Sequence, residues 1–267
     1  MPACVSKDEV SKGVANMPAR ATVIRILVVL AAFALLEALC RASIINRMTM
    51  IPPTEMVGAL TQILQTGKFN ADIVFTIVNT ALAAVLAIVG GFGIGAALHA
   101  LPRLRRAVEP LLAAYYAVPV FVFYPLLIVA FGVGRAALIA MGVLVGVVAM
   151  IVNTLSGLDR VAPVLLKSAA VLGLGSVRSL VLIRLPAAAP HLLTGVKLAV
   201  AYTVIGIVAG EFILSTAGMG KRIAFGYQDF DNRIMYGMLL LLLVLVTLVN
   251  VALASWEKRL HRRFGAQ

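Results

Sequence analysis

Six long apolar runs decide most of what this chain can fold into. They lie at about Val23–Cys40, Ile73–Leu98, Leu111–Phe131, Ala136–Leu158, Leu192–Leu214 and Ile234–Trp256. Each is near the ~20 residues a helix needs to cross hydrocarbon. Hydrocarbon offers no partner to an unpaired N–H or C=O, so each run must close its hydrogen bonds within itself, as a helix. A barrel would show short alternating segments, and these runs are continuous. Composition agrees, with 62% of residues hydrophobic, 13% charged and a mean hydropathy of +1.04. A water-soluble core built from 267 residues cannot hide that much apolar surface. The expected fold is therefore all-α, a polytopic membrane protein with six transmembrane helices.

The net charge of +12 invites a nucleic-acid reading, but the cations follow membrane topology instead. If the N-terminus is cytoplasmic, fifteen Lys and Arg residues fall on the cytoplasmic side and seven on the other. That asymmetry predicts both termini inside. It divides the chain into an N-terminal tail (1–22), a transmembrane domain (23–257) containing a cytoplasmic loop (159–190), and a basic C-terminal tail (258–267). The first run does not read as a signal peptide, because a polar stretch precedes it and no small-residue cleavage site follows. Cys4 and Cys40 fall on opposite sides of the membrane, so no disulfide is expected. No Cys/His cluster is spaced to hold a metal.

Two phosphate-loop lookalikes fail on context. Gly218-Met219-Gly220-Lys221 resembles the end of a P-loop, but Ser215 replaces the first glycine and Arg222 the closing hydroxyl residue. Gly91-Phe92-Gly93-Ile94-Gly95 lies inside an apolar run with no strand before it. Gly91/Gly95, Gly142/Gly146 and Gly206/Gly210 read instead as G-x-x-x-G seams, where a spacing of four puts two small residues on one helix face. His99, His191 and His261 sit near run ends and make no catalytic constellation. Glu37 reads as interfacial. Glu211 is read either as a functional or pairing carboxylate or as an interfacial one. Asn79, Asn153 and Asn250 are expected to bond neighbouring helices.

The loop from Lys167 to Pro186 is where this membrane chain offers something to the water. Gly173 and Gly175 can end a helix, Ser176 can cap a short following one, and Pro186 and Pro190 restart the chain before the fifth run. This predicts a helix–turn–helix along the cytoplasmic face with an apolar side of Val171, Leu172, Val177, Leu180 and Val181. Such a side fits a protein partner or an interfacial helix resting on lipid headgroups.

The spacing of Gly173, Ile183, Leu185 and Pro186 resembles the cytoplasmic signature of binding-protein-dependent ABC importer permeases. That signature opens with Glu-Ala-Ala, which aligns with Lys167-Ser168-Ala169, so its glutamate is a lysine here. Further stretches are similar, in order, to the nitrate/sulfonate/taurine branch. They are Ile51-Pro52-Pro53-Thr54-Glu55, Ala117-Val118-Pro119, Tyr124-Pro125-Leu126-Leu127, Phe131-Gly132-Val133-Gly134, Asn153-Thr154-Leu155-Ser156-Gly157, Glu211-Phe212 and Gly218-Met219-Gly220. Ala149 departs from a usual proline, and Asn79 stands near a frequent arginine.

The resemblance implies a type I importer permease fold in a bacterial inner membrane. It implies a second permease copy, a cytoplasmic ATPase dimer engaged by a coupling helix, and an extracytoplasmic solute-binding protein. ATP and Mg2+ would belong to the ATPase, with no cofactor bound by this chain and no enzyme activity of its own. The solute would be small, with sulfonates, taurine and nitrate as the branch's examples. Lys167, Ser168, Ala169, Val171, Leu172, Gly173, Val177, Arg178, Ile183, Leu185 and Pro186 are the implied coupling residues. Tyr115, Tyr116, Phe121, Tyr124, Asn153, Tyr202 and Glu211 are candidates for the pathway, with ordinary packing as the competing reading. Lys197 could attract an anion or simply snorkel. The alternative function is a self-sufficient secondary carrier or channel, although no internal repeat supports it.

Overall fold

The computed structural model describes residues 23–24, 27–115 and 118–264. Helix α1 covers residues 27–41. It is followed by α2 (Pro53–Thr66), α3 (Asn70–Ala100), α4 (Pro102–Tyr115), a 3-10 turn (Val120–Phe123) and α5 (Tyr124–Phe131). Then come α6 (Arg135–Asp159), α7 (Pro163–Val171), α8 (Ser176–Ser179), a π turn (Leu180–Arg184), α9 (Leu185–Leu214), α10 (Met219–Gln228) and α11 (Asn232–Phe264). Among the described residues there is no strand, as expected of this chain.

The core is a three-helix seam of α3, α6 and α9, with α6 in the middle and the most enclosed. Glycine is what lets the backbones approach. A Cβ on Gly91 would lie 2.6 Å from Met150 Cβ, and one on Gly95 would lie 2.7 Å from Thr154 Cβ. On α6, Gly142 meets Ala83 and Ile207, while Gly146 meets Thr203 and Ala199. Gly206 lies against Gly142, and Gly210 against Leu138. All three G-x-x-x-G pairs are thus packing seams. Between α6 and α9 the Thr203 hydroxyl adds a bond to the Gly142 carbonyl at 3.3 Å. In lipid this close packing must supply what the hydrophobic effect supplies in water. The outward faces stay apolar, with Val85, Val89, Leu243 and Leu248 all exposed.

Four described helices are long and apolar enough to cross a bilayer, or five if a bent pair is one span. Six spans were expected, and the differences have causes. The third run is not one helix, because α4 and Val120–Phe131 stand at 100° to each other. Pro119 sits at this break with φ −69°, and a proline cannot donate to the preceding turn. Only residues 27–41 of the first run form a continuous described helix. The fifth span begins earlier than Leu192, since the π turn runs without interruption through Pro186 into α9. Pro186 therefore does not restart the chain. A wider turn accommodates its ring and its missing N–H. Helix α11 likewise continues past Trp256 into the segment expected to be a tail.

Ion pairs fasten one end of the bundle. Arg105 of α4 donates to both oxygens of Asp159, at 2.8 and 2.7 Å. His99 Nδ1 lies 3.2 Å from the same carboxylate. Lys197 of α9 donates to Glu257 of α11, so its ammonium is already paired with a carboxylate. Asp159→Asn is expected to lower stability by only about 1 kcal/mol, because the pair is partly solvated. Thermal unfolding of the detergent-purified chain measures it.

Neither the buried Asn79 nor the half-buried Asn153 bonds a neighbouring helix as expected. Asn153 donates to its own helix at Ala149 O, 2.8 Å away. Both polar atoms of the fully buried Asn79 lack a partner among the described residues.

Candidate functional site

The loop between α6 and α9 folds as a short hairpin of helices. Helix α7 begins at Pro163, where a missing N–H costs nothing. It ends because Gly173 turns left-handed, with φ +65°. The Leu174 N–H then reaches back to the Ala169 carbonyl at 3.0 Å, the six-to-one bond of a Schellman cap. Ala169 is buried and Ser168 bonds its own helix at Val164 O. Leu166 and Leu180 pack on Leu158, Val161 and Ala188, which anchors the hairpin to the bundle.

The anchored hairpin leaves an apolar tip in the open. Val171 is 88% exposed and Leu172 70%. Val181 and Leu182 are exposed beside them, as are Lys167, Gly173 and Arg178. Ile183, Leu185 and Pro186 are half-buried in the root of α9. Ser176 and Val177 lie in α8, with their side chains outside the described residues. Of the predicted apolar side, Val171, Leu172 and Val181 are exposed, Leu180 turns inward as part of the anchor, and the Val177 side chain lies outside the described residues.

The opposite end of the bundle is held by a buried polar junction that the sequence reading had not assembled. Gly218, Met219 and Gly220 open α10, and their three N–H groups point at side chains of the same chain. Gly218 donates to Asp72 Oδ1 at 2.9 Å, Met219 to Thr76 Oγ1 at 2.8 Å, and Gly220 to Glu211 Oε2 at 3.0 Å. The Thr76 hydroxyl lies 2.8 Å from Glu211 Oε2 and 2.9 Å from Oε1, and donates its proton to that carboxylate. Arg222 Nε closes the cluster on Asp72 Oδ2 at 2.7 Å. Helix N-termini attract anions, and here the chain supplies its own. The N–H groups that gave this segment its P-loop look are thus already bonded. Gly218 has φ +108°, and a Cβ there would lie 2.3 Å from Glu211 Cδ.

The pathway candidates are scattered. Glu211 is fully buried in the junction and bonded to Thr76 and Gly220, so it is not the exposed interfacial carboxylate of the second reading. Tyr124 is buried at 2% exposure near Gly210, in the cluster of Leu138, Met141 and Ile207. Phe121 packs against the same cluster. Tyr115 donates to Leu144 O at 2.7 Å, tying α4 to α6. Asn153 sits against Gly195, and Tyr202 is half-buried on α9. Tyr116 lies outside the described residues. A cleft of about 280 Å³ opens elsewhere, between α2 and the start of α11, lined by Ile63, Lys68, Phe69 and Arg233.

With this architecture in view, the family described as "binding-protein-dependent transport system inner membrane component" matches residues 87–265. The chain belongs to that family. Among relatives, it is 31% identical over 163 residues to the riboflavin transport system permease protein RibX of Chloroflexus aurantiacus, covering 61% of this chain and 60% of RibX. It is 25% identical over 179 residues to the taurine transport system permease protein TauC of Escherichia coli, covering 67% of this chain and 65% of TauC. The chain thus spans under two thirds of the length of these relatives. Among solved structures, a chain of the MetNI methionine ABC transporter in an inward-facing conformation superposes with a TM-score of 0.64. The match is 19% identical and covers 73% of this chain and 97% of that one, which establishes the fold as that of a type I importer permease. This ABC permease stands with the taurine-type branch its motifs resembled. The family is one of membrane components of transport systems.

Asp72 and Thr76 are the residues the sequence reading missed. They lie four apart on α3, hence on one face, just where that run was taken to begin. An Asp-x-x-x-Thr pair entering an apolar run was the available signal.

Proposed function

We propose that this chain is the permease subunit of an ATP-driven importer, with the α7–α8 hairpin as its coupling element. Two copies would enclose the translocation pathway. A cytoplasmic ATPase dimer, using ATP and Mg2+, would grip the hairpin, and an extracytoplasmic binding protein would deliver the solute to the opposite end. Both termini and the hairpin are cytoplasmic in this reading, as the Lys and Arg asymmetry favours. The solute is a small organic molecule or anion. Sulfonates such as taurine are the first to test, given the TauC relationship. Mechanistically, the permease is a two-state element whose equilibrium is biased by binding at both ends.

One observation carries the reading. A capped, bundle-anchored helix presents Val171 and Leu172 to water, where nothing among the described residues covers them. An apolar tip held in place by buried packing is what a partner needs in order to push on the bundle.

The test is recovery of an ATPase subunit with the tagged chain from its native membrane, with and without residues 171–178 replaced by Gly and Ser. Recovery only with the intact segment supports the proposal. Equal recovery, or none with a folded chain, sinks it. Gly173→Asp is expected to leave the fold nearly intact, since Asp tolerates positive φ and open space surrounds the site. Placed beside the apolar tip, the new carboxylate should cut solute uptake about tenfold or more.

A further inference from the structure

We propose that the hairpin is built to meet carboxylates, so that the ATPase groove receiving it is apolar at its floor and acidic where Lys167 enters. This rests on the coupling reading above and adds the sign of the contact.

The hairpin has no acidic residue of its own. Between Arg160 and Gly210 the chain contains neither Asp nor Glu. The carboxylate before this stretch, Asp159, is bonded to Arg105. The one after it, Glu211, is buried in the junction at the other end of the bundle. Arg160, Lys167 and Arg178 are exposed on the hairpin and make no ion pair among the described residues. Arg184 is half-buried, and its Nε has no partner.

The placement of Lys167 distinguishes a protein groove from a lipid surface. Val164, Lys167, Ser168 and Val171 share one face of α7, spaced at three and four residues. Val164 is 70% exposed, and Val171 lies one turn beyond the lysine. The cation thus sits between two exposed valines, beside Ser168, whose hydroxyl is turned onto its own helix at Val164 O. A helix resting on headgroups places its cations at the flanks, where their stems can reach the phosphates while the apolar face sinks. A central lysine between two valines would be drawn down with them. It is better met by a fixed carboxylate in a groove whose remaining surface is apolar, because complementary charge fixes register and excludes wrong partners.

The experiment uses the full chain in its native membrane, treated with a water-soluble carbodiimide that joins amines to carboxylates. For the wild-type chain, mass spectrometry is expected to find Lys167 coupled to an Asp or Glu of the ATPase. Lys167→Arg should keep the ATPase associated and lose the cross-link, because a guanidinium is not coupled. Lys167→Glu should reduce ATPase recovery about tenfold or more, with an unchanged melting temperature because the side chain touches no core. Full recovery with Lys167→Glu would overturn the acidic groove while leaving the coupling reading standing. So would a shift of that variant's defect to binding of anionic vesicles, with ATPase recovery intact. Failure of the coupling reading itself looks different, since the ATPase would then be recovered even with residues 171–178 replaced.

Discussion

Glu211→Ala is expected to destabilise the folded chain by about 3–5 kcal/mol, combining the loss of charged hydrogen bonds with groups left unpaired. The carboxylate is fully buried and accepts from the Thr76 hydroxyl and the Gly220 N–H. Removing it strands the Gly220 N–H in a buried place, leaves Thr76 only its longer bond to the Asp72 carbonyl, and opens a void beside Gly218 and Gly220. The start of α10 then loses one of the three groups that fix it to α3 and α9. Glu211→Gln should cost roughly half as much. Its one carbonyl oxygen can still accept from Gly220, but its amide faces an oxygen that already accepts from Met219. Thr76 must then turn its proton toward the Asp72 carbonyl, 3.2 Å away. Melting temperatures of the two variants in detergent decide the matter. A Glu211→Ala variant as stable as wild type would mean that the junction does not hold the helices.

How this junction escaped the sequence reading shows where such readings stop. Hydropathy located the helices because hydrocarbon leaves a chain no other way to satisfy its backbone. Glycine spacing located the α3–α6–α9 seams because a four-residue repeat places both glycines on one face whatever the fold. The coupling hairpin was legible for a similar local reason, since Gly173 marks a left-handed cap wherever it occurs in this setting. Glu211 and Thr76 are 135 positions apart, and no local rule brings them together. The same limit explains why Glu211 was open to a pathway reading, since a carboxylate in an apolar run signals burial or function without saying which. The consequences of prolines were legible only in part. Pro119 marks a sharp bend, whereas Pro186 is absorbed into a continuous helix. The difference is the π turn at Leu180–Arg184, which depends on how that segment packs and not on its own residues alone.

Glycines of α6 and α3 provide the second large effect and its control. Gly146→Val is expected to cost about 3 kcal/mol or more, at the upper end of overpacking, and to reduce recovery of folded chain from membranes. A Cβ there would lie 2.3 Å from Thr203 Oγ1 and 2.9 Å from Ala199 O. The threonine can rotate, but the carbonyl belongs to α9's backbone, so the two helices must move apart. Separation would also break the bond from Thr203 to the Gly142 carbonyl. Combining Gly146→Ala with Thr203→Ala should therefore recover only part of what Gly146→Ala alone loses, because the backbone clash remains. Gly93→Ala should do the opposite. It lies in α3 between Gly91 and Gly95, yet nothing stands within 4 Å of its added Cβ. Alanine there removes the conformational cost of a helical glycine, worth about 0.5–1 kcal/mol, and melting should be unchanged or slightly raised. If Gly93→Ala and Gly91→Ala were equally harmful, glycine would be needed in α3 for something other than close approach to α6. If Gly146→Val were harmless, α6 and α9 would not be seated on each other as described.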